Sequence, residues 1–494
     1  MTQLDQTSQA EATAATSAAC AAEGSEETRA TEATAAAAPT HVRVALVGFG
    51  TAGVNAAIAL RNAGYAGDIH AFSDTATPPY SPILTSYYAG GEKTYDECFP
   101  WSADELADLH VTVHTECPVL EIDPELHLLH TTRGAFTYEK CLIATGAHPS
   151  TVGFPQVESA KGIESADDAE GEAGSMADNA AGYEPLVLRT LDDAVRLRAA
   201  LERESCTRVL VSGASMVALK ALEACLRHGV ATTLVGMNPH VLDMTALPPA
   251  AERFERGLRA KGVELRLGQT IASVRVVGKE AGANASGGNA SDGAIASSGA
   301  QALEVTFSNG ETAAFDEIIV AHGVRSNLGF VQAGSLKIDR ALVVDEFMRT
   351  SDPDVYAAGD VAQALELVSG EKRVVGIWKS AAVQGACAGT AMATELAGEK
   401  PAPSCAYAGG IATNTIAVDG TLFISAGSVE EAENRRVEVR ETDDMTVVYV
   451  FEVAADGAER LVGFNITCDH DEPGSPAYDT GAMLTLRIES GCHK

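Results

Sequence analysis

The sequence predicts an α/β fold: two doubly wound parallel-sheet units, one nested inside the other, followed by a small α+β domain. Three observations predict it. The stretch Val44-Ala-Leu-Val-Gly48-Phe-Gly50-Thr-Ala-Gly53 joins a β-branched apolar run to a glycine turn and a helix-forming segment. A second strand, glycine turn, helix and strand follow over residues 208–235, in the order that gives a right-handed βαβ unit. Beyond residue 402 the texture changes to short alternating runs such as Thr446-Val-Val-Tyr-Val-Phe-Glu-Val453. That is the pattern of a small antiparallel sheet with one face buried, and a helix of its own follows near the end.

Residues 1–40 are mostly Ala, Thr, Ser and Glu and lack the charged and apolar regions of a secretory signal, so they read as a disordered tail. The run 44–60 carries no charge. Its three glycines at dinucleotide spacing, with Asn55, favour a strand-turn-helix over a membrane span. In that turn Gly48 permits the tight bend, Gly50 lets backbone N–H groups approach a pyrophosphate, and Gly53 lets the helix pack close to the strand. The spacing alone is weak evidence. It gains from Asp354-Val-Tyr-Ala-Ala358-Gly359-Asp360, where a strand ending in small residues delivers one carboxylate to hold a ribityl hydroxyl. The two elements read as the ends of one FAD site. Between them, Tyr138 to Pro149 forms a strand ending in Ala144-Thr145-Gly146, small enough for its backbone to lie over a nucleotide.

These elements divide the chain into a discontinuous FAD-binding domain (41–156 and 315–400), a nested nucleotide-binding domain (184–314) and a C-terminal domain (401–494). Two segments poor in apolar residues, acidic 157–183 and Gly/Ser-rich 280–300, are expected as disordered insertions. Tail and first insertion hold five and six of the 33 net negative charges, so the remaining core is still acidic. Such a balance is poorly suited to phosphodiester backbones, and nucleic acid is not expected as a partner. The ten cysteines show no C-x-x-C and no regular spacing, so neither a metal site nor a disulfide framework is expected, and a cytoplasmic setting fits.

Taken in order, the motifs resemble the pyridine nucleotide-disulfide oxidoreductase superfamily, nearest its rubredoxin reductase, ferredoxin reductase and NADH-oxidase-like branch. The Gly48 turn, Pro78-Pro79-Tyr80-Ser81, Tyr87-Tyr88-Ala89-Gly90 and Ala144-Thr145-Gly146 come first. Leu188-Arg-Thr-Leu-Asp192-Asp193-Ala194, the Gly213 turn, Ala321-His322-Gly323, the Gly359-Asp360 strand and Trp378 with Gln384-Gly385 follow. The resemblance spans residues 43–463 apart from the insertions.

The resemblance implies that FAD lies along the first unit, with Gly48, Gly50, Thr51, Ala52 and Gly53 at its pyrophosphate and Ala144, Thr145, Gly146, Gly359 and Asp360 along it. Trp378 and Gln384 are expected near the flavin ring, and Pro82 is expected among the cofactor-binding residues. Relatives place an acid at the end of the second strand for the adenosine ribose; here Ser73 stands there and Asp74, which follows, takes the role. NAD(P)H is the implied reductant, at Gly213, Ser215 and Met216. That turn keeps only one of three glycines, Lys220 stands where many relatives carry glutamate, and Gly236 stands where an acid would select NAD. Neither NADH nor NADPH is singled out.

No cysteine stands where disulfide or peroxide reductases of the superfamily carry theirs, and Ile83 falls about where a single one would be. Electrons must therefore leave the flavin directly, to a protein carrier, a small molecule or oxygen. An acidic carrier would be repelled unless a basic patch meets it, for which Arg435, Arg436 and Arg440 offer one location, against the plainer reading of ordinary surface charge. His322 is expected to be a hydrogen-bonded structural residue rather than a proton donor, and Cys387 packed core. The expected function is hydride transfer from NAD(P)H to flavin, then electron delivery to an unidentified acceptor, with no catalytic side chain assigned and a homodimer through the C-terminal domain. Its alternative is an FAD-binding redox or interaction subunit that no longer uses nicotinamide.

Overall fold

The uncharged run at 44–60 divides where its glycines stand, into strand β1 (Thr40–Val47) and helix α1 (Thr51–Asn62). This computed structural model describes residues 38–158, 183–278, 301–430, 432–472 and 474–492; the expected tail up to residue 37, most of the first expected insertion and all of the second lie outside the described residues. Four further strands and a long fifth build the first sheet: β2 (Ile69–Phe72), β3 (Val111–His114), β4 (Val119–Asp123), β5 (Leu128–Thr131) and β6 (Gly134–Ile143). Their order is β3-β2-β1-β6-β5-β4. The first four run parallel; β5 pairs antiparallel with β6, and β4 antiparallel with β5. As a central parallel strand β1 is covered on both faces, which is why its apolar run is nearly continuous: Val42, Val44, Ala45 and Leu46 are fully buried.

The first sheet is completed only after the nested unit has ended, when Val355–Ala357 adds in parallel to β6. The helix Trp378–Leu396 then lies along α1 at backbone contact. A Cβ at Gly385 would fall 2.2 Å from the Ala52 carbonyl oxygen, and one at Gly389 2.3 Å from that of Ala56. Lys140, buried on β6, ties this return together by ion pairs to Asp354 (2.7 Å) and Glu395. Among the described residues no helix is long and apolar enough to cross a membrane.

The second unit repeats the plan with four parallel strands in the order Glu264–Leu267, Ala231–Gly236, Arg208–Ser212, Glu317–Val320. Two boundaries differ from the sequence expectation. Glu317–Val320, assigned to the first unit by the division at 315, is the fourth strand of the second, paired in register with Arg208–Ser212. Val157–Glu158, placed in the acidic insertion, pairs in parallel with Ile271–Gly278 at the edge of an adjoining antiparallel sheet. Both are short pieces whose partners are remote in the chain, and local pattern cannot say which sheet receives them.

The C-terminal sheet has five antiparallel strands in the order Thr413–Val418, Thr421–Gly427, Glu459–Cys468, Met445–Val453, Arg435–Glu441. Alternation assigns its faces. Ile466 looks toward the terminal helix Pro476–Cys492, where Gly481 leaves room for Ile424 and Ile466. Asn465 and Thr467 point the opposite way, to the helix Pro248–Ala260 of the second unit: Leu247 N–H donates to Asn465 Oδ1 (2.8 Å) and Thr467 Oγ1 donates to the Ala250 carbonyl (2.9 Å). Arg253 on that helix, 5% exposed, donates to both carboxylate oxygens of Asp469. Both faces are thus covered within the chain, and one apolar cluster runs from the second unit into this sheet.

Candidate active site

Gly48 closes the β1–α1 turn with φ +99°, its N–H donating to the Phe72 carbonyl at 2.8 Å. A Cβ there would fall 2.4 Å from the Ala144 carbonyl oxygen, so the turn and the end of β6 meet backbone to backbone. Gly53 is equally constrained: its Cβ would fall 2.3 Å from the Gly48 carbonyl oxygen. Gly50 caps α1 with no side-chain hydrogen bond, has open space where a Cβ would project, and is followed by no acid in the first turn. The first N–H groups of α1 are therefore left for a ligand, with the positive end of the helix dipole behind them.

That helix end opens into a cleft of about 1250 Å³. Its lining includes Gly48, Gly50, Thr51 and Ala52 at the turn, Asp74 and Pro82 on one flank, and Ala144, Thr145 and Gly146 beneath. Gly359 and Asp360 stand at the far end with Trp378, and Met216 of the second unit reaches in. Four expected residues are not in this lining. Gly53 lies behind the turn, where it permits the packing just described. Gln384 is 1% exposed and accepts from the Gly359 N–H at 2.8 Å, so it fixes the Gly359 backbone from behind instead of meeting a ring. Gly213 and Ser215 belong to the other turn.

Several lining groups had no assigned role in the sequence. Arg189 pairs with Asp360 and donates Nε–H to the Ala147 carbonyl at 3.0 Å, so it holds the carboxylate from the second unit's side. Asn327 clasps the Thr145 turn twice, Thr145 Oγ1 donating to its carbonyl (2.7 Å) and its Nδ2 donating to the Thr145 carbonyl (2.8 Å). Thr413, Asn414 and Thr415 come from the C-terminal sheet, more than 350 residues from the turn they share the cleft with. Only Arg189 stood inside a noticed motif, Leu188-Arg-Thr; the other residues carry no local signal.

In the second unit Gly213 has φ +121°, and its Cβ would fall 2.4 Å from the Ala321 carbonyl oxygen, reproducing the Gly48 contact. Beyond it the two turns part. Ser215 caps its own helix, Met216–Arg227, accepting from Ala218 N–H at 3.5 Å. Lys220 pairs with Glu223 and sits over the Tyr87 ring, 4.2 Å from its centroid. His322 bridges Ser212 Oγ (2.9 Å at Nε2) and the Val152 carbonyl (3.0 Å at Nδ1). Because a carbonyl only accepts, Nδ1 carries the proton, and burial lowers the pKa of the ring so that it stays neutral.

At the cleft mouth Ile83 is 53% exposed. The nearest cysteine in sequence, Cys98, is fully buried, its thiol directed at the Leu84 and Thr94 carbonyls, and burial raises its pKa. Cys387 is 8% exposed in the first-unit core and pushed up to about 12 by burial. The three arginines offered as a basic patch are spoken for: Arg436 by Glu438 and Glu459, Arg440 by Glu438, and Arg435 by Ser428 and the Glu430 carbonyl. They form a balanced surface strip, not a free basic patch.

Residues 42–385 match the family model of the pyridine nucleotide-disulphide oxidoreductases. The NADH-dependent phenylglyoxylate dehydrogenase subunit epsilon of Aromatoleum evansii is 27% identical over 419 residues, 84% of this chain and 86% of that protein. The rubredoxin-NAD(+) reductase of Ectopseudomonas oleovorans is 27% identical over 324 residues, 65% of this chain and 72% of that one. Among solved structures, the NADH:rubredoxin oxidoreductase of Clostridium acetobutylicum shares the fold, with a TM-score of 0.64 at 18% identity, covering 92% of this chain and 96% of that one.

Proposed function

The chain belongs to the pyridine nucleotide-disulphide oxidoreductase family and is an FAD-dependent NAD(P)H oxidoreductase, and we propose that the cleft between the Gly48 turn and Asp360 holds its FAD. FAD bound there would supply the hydride-accepting and electron-donating chemistry between NAD(P)H and an acceptor. The observation that carries the reading is the uncapped start of α1 at a turn where a Cβ on Gly48 would strike the Ala144 carbonyl at 2.4 Å. A backbone cradle that admits no side chain at Gly48, with bare N–H groups facing a long cleft, suits a pyrophosphate.

The residues divide the work. The α1 N–H groups would take the pyrophosphate and Asp74 the adenosine ribose. Asp360, oriented by Arg189, would take the ribityl chain, while Gln384 keeps the Gly359 backbone in place beneath it. Ile83 and Trp378 would supply apolar surface at the ring end, which keeps water from the hydride path. Met216, next to the Gly213 turn, joins the reductant's turn to the same cleft. With Ile83 at the mouth and the Cys98 thiol buried, no thiolate relays electrons there, and the acceptor meets the flavin directly.

A redox protein as acceptor is supported by relatives named as rubredoxin and putidaredoxin reductases. The relative named as a dehydrogenase subunit, matched over most of its length, supports a second reading in which the acceptor is a partner subunit. The reading extends to a cytoplasmic setting, in keeping with nine free cysteines among the described residues, and to a homodimer that sedimentation would register by mass. Anaerobic stopped-flow mixing of the FAD-loaded protein with NADH or NADPH tests the function. Loss of the yellow absorbance with either nucleotide supports it; no loss with both removes nicotinamide from the reaction. Re-oxidation by added rubredoxin, quinone or oxygen then ranks the acceptors.

A further inference from the structure

The nucleotide-binding unit lacks the strand-end acid that would choose between NADH and NADPH, and its geometry shows why. That acid ordinarily stands at the end of the second strand and accepts the ribose 2′-hydroxyl. Here the strand ends at Gly236, and a Cβ on Gly236 would fall 2.9 Å from the methyl carbon of Ala214 in the glycine turn. The turn residue has taken the space a side chain at 236 would need. The following loop, however, returns to the same turn. Leu242, with φ +57°, donates its N–H to the Ala214 carbonyl at 2.9 Å. Asp243, the next residue, is exposed and accepts from Asn238 Nδ2 through Oδ2. Asn238 is itself anchored, its carbonyl accepting from Gly268 N–H at 2.9 Å.

We propose that Asp243, returned to the Gly213 turn by the Leu242–Ala214 hydrogen bond and oriented by Asn238, replaces the missing strand-end acid, accepts the adenosine ribose 2′-hydroxyl, and makes NADH the reductant. The inference rests on the nicotinamide reading of this unit and names its nucleotide. Three further observations agree. Residues 237–247 contain no lysine or arginine to receive a 2′-phosphate. The one basic side chain there, His240, is held on Glu255 at 3.1 Å. Met237 and Met244, exposed at 74% and 84%, flank Asn238 and Asp243 with soft apolar surface suited to an adenine face. A 2′-phosphate would meet a fixed carboxylate where the hydroxyl meets an acceptor.

Calorimetric titration of the FAD-loaded protein with ADP-ribose and with its 2′-phosphate reads this without any turnover. The native chain is expected to bind ADP-ribose at least about tenfold more tightly. Asp243→Asn should reduce that ratio by about tenfold or more, mainly by weakening ADP-ribose, with the thermal midpoint unchanged because Asp243 is exposed. In the Asp243→Asn background, Ala214→Gly with Gly236→Asp clears the steric conflict, returns the acid to the strand end and should restore the preference. Equal binding of the two ligands by the native chain, or an unchanged ratio in Asp243→Asn, overturns the inference. Discrimination between the ligands with no flavin reduction by NADH leaves Asp243 as the group that selects the nucleotide and removes the proposed function, and with it NADH's part as reductant; flavin reduction with no discrimination removes Asp243 from that role and leaves the proposed function.

Discussion

The Gly48 and Gly213 turns are one device made twice, and they differ in what they leave open. Each holds its first glycine at positive φ, against a carbonyl of the neighbouring strand's end that a Cβ would approach to 2.4 Å. Past that glycine, the first turn runs through Gly50 into a helix with no side-chain cap, while the second runs through Ser215, whose hydroxyl caps its own helix. An uncapped helix start leaves N–H groups unsatisfied until a ligand arrives. A self-capped one is content without a ligand. The first arrangement suits a cofactor that stays, and the second suits a nucleotide that must bind and leave on every cycle.

The largest effect should come from breaking the shared part in each unit separately. Gly48→Ala forces a Cβ against the Ala144 carbonyl at a φ that costs roughly 1–3 kcal/mol for a side-chain-bearing residue, and should yield a colourless protein. Gly213→Ala makes the same collision with Ala321, yet should purify yellow and lose only the response to nicotinamide nucleotide. Absorption spectra of the two proteins check both. If the two variants lose flavin alike, the turns do not have separate ligands.

Smaller changes sharpen the comparison. Gly50→Ser tests the open cap: there is free space for its Cβ and φ is −80°, so the backbone tolerates it, and the new hydroxyl should close α1 as Ser215 closes its helix. FAD affinity should fall about tenfold while the apoprotein gains about 0.3 kcal/mol, read by equilibrium dialysis and urea unfolding. The converse change, Ser215→Gly, should tighten NADH binding by about threefold and cost only about 0.3 kcal/mol of stability.

His322 lends the second unit an acid sensitivity that its counterpart, Thr145, cannot have. Its folded pKa is depressed by burial, so the unfolded chain binds the proton more readily and acid favours unfolding. Stability from this group is complete above the unfolded pKa of about 6.5 and is lost as the pH falls below it, toward the folded value. His322→Asn should lower stability near neutrality by roughly 1–2 kcal/mol through the lost bridge, and flatten the decline of the thermal midpoint between about pH 6.5 and 5. An equal acid slope in both proteins would place the sensitivity elsewhere, His70 and His114 being the other histidines among the described residues whose pKa burial lowers.

Much of this was legible along the chain, for physical reasons. Gly48, Gly213 and the strands before them announce themselves because a tight turn needs glycine and a doubly covered strand needs an unbroken apolar run. Ala144, Thr145, Gly359 and Asp360 were legible because strand ends in parallel sheets gather at one edge. What the sequence could not supply were relations between distant residues. Arg189 meets Asp360 across 171 positions, Asn327 clasps Thr145 across 182, and Thr413–Thr415 arrive from a different sheet. Gln384 was expected near the flavin ring from the resemblance; its burial under Gly359 is a property of helix packing, where Gly385 brings the helix onto Ala52. Gly236 could be read only as a missing acid until the Ala214 methyl beside it supplied the reason.

The account depends most on FAD in the first cradle being reached by nucleotide from the second. Mixing the yellow protein anaerobically with NADH measures that directly. The account predicts rapid, saturable loss of the flavin absorbance in the native chain, and in Gly213→Ala a loss that no longer saturates at the same NADH concentration. A native protein that stays fully yellow with both NADH and NADPH, or a Gly213→Ala protein reduced with unchanged concentration dependence, would contradict it.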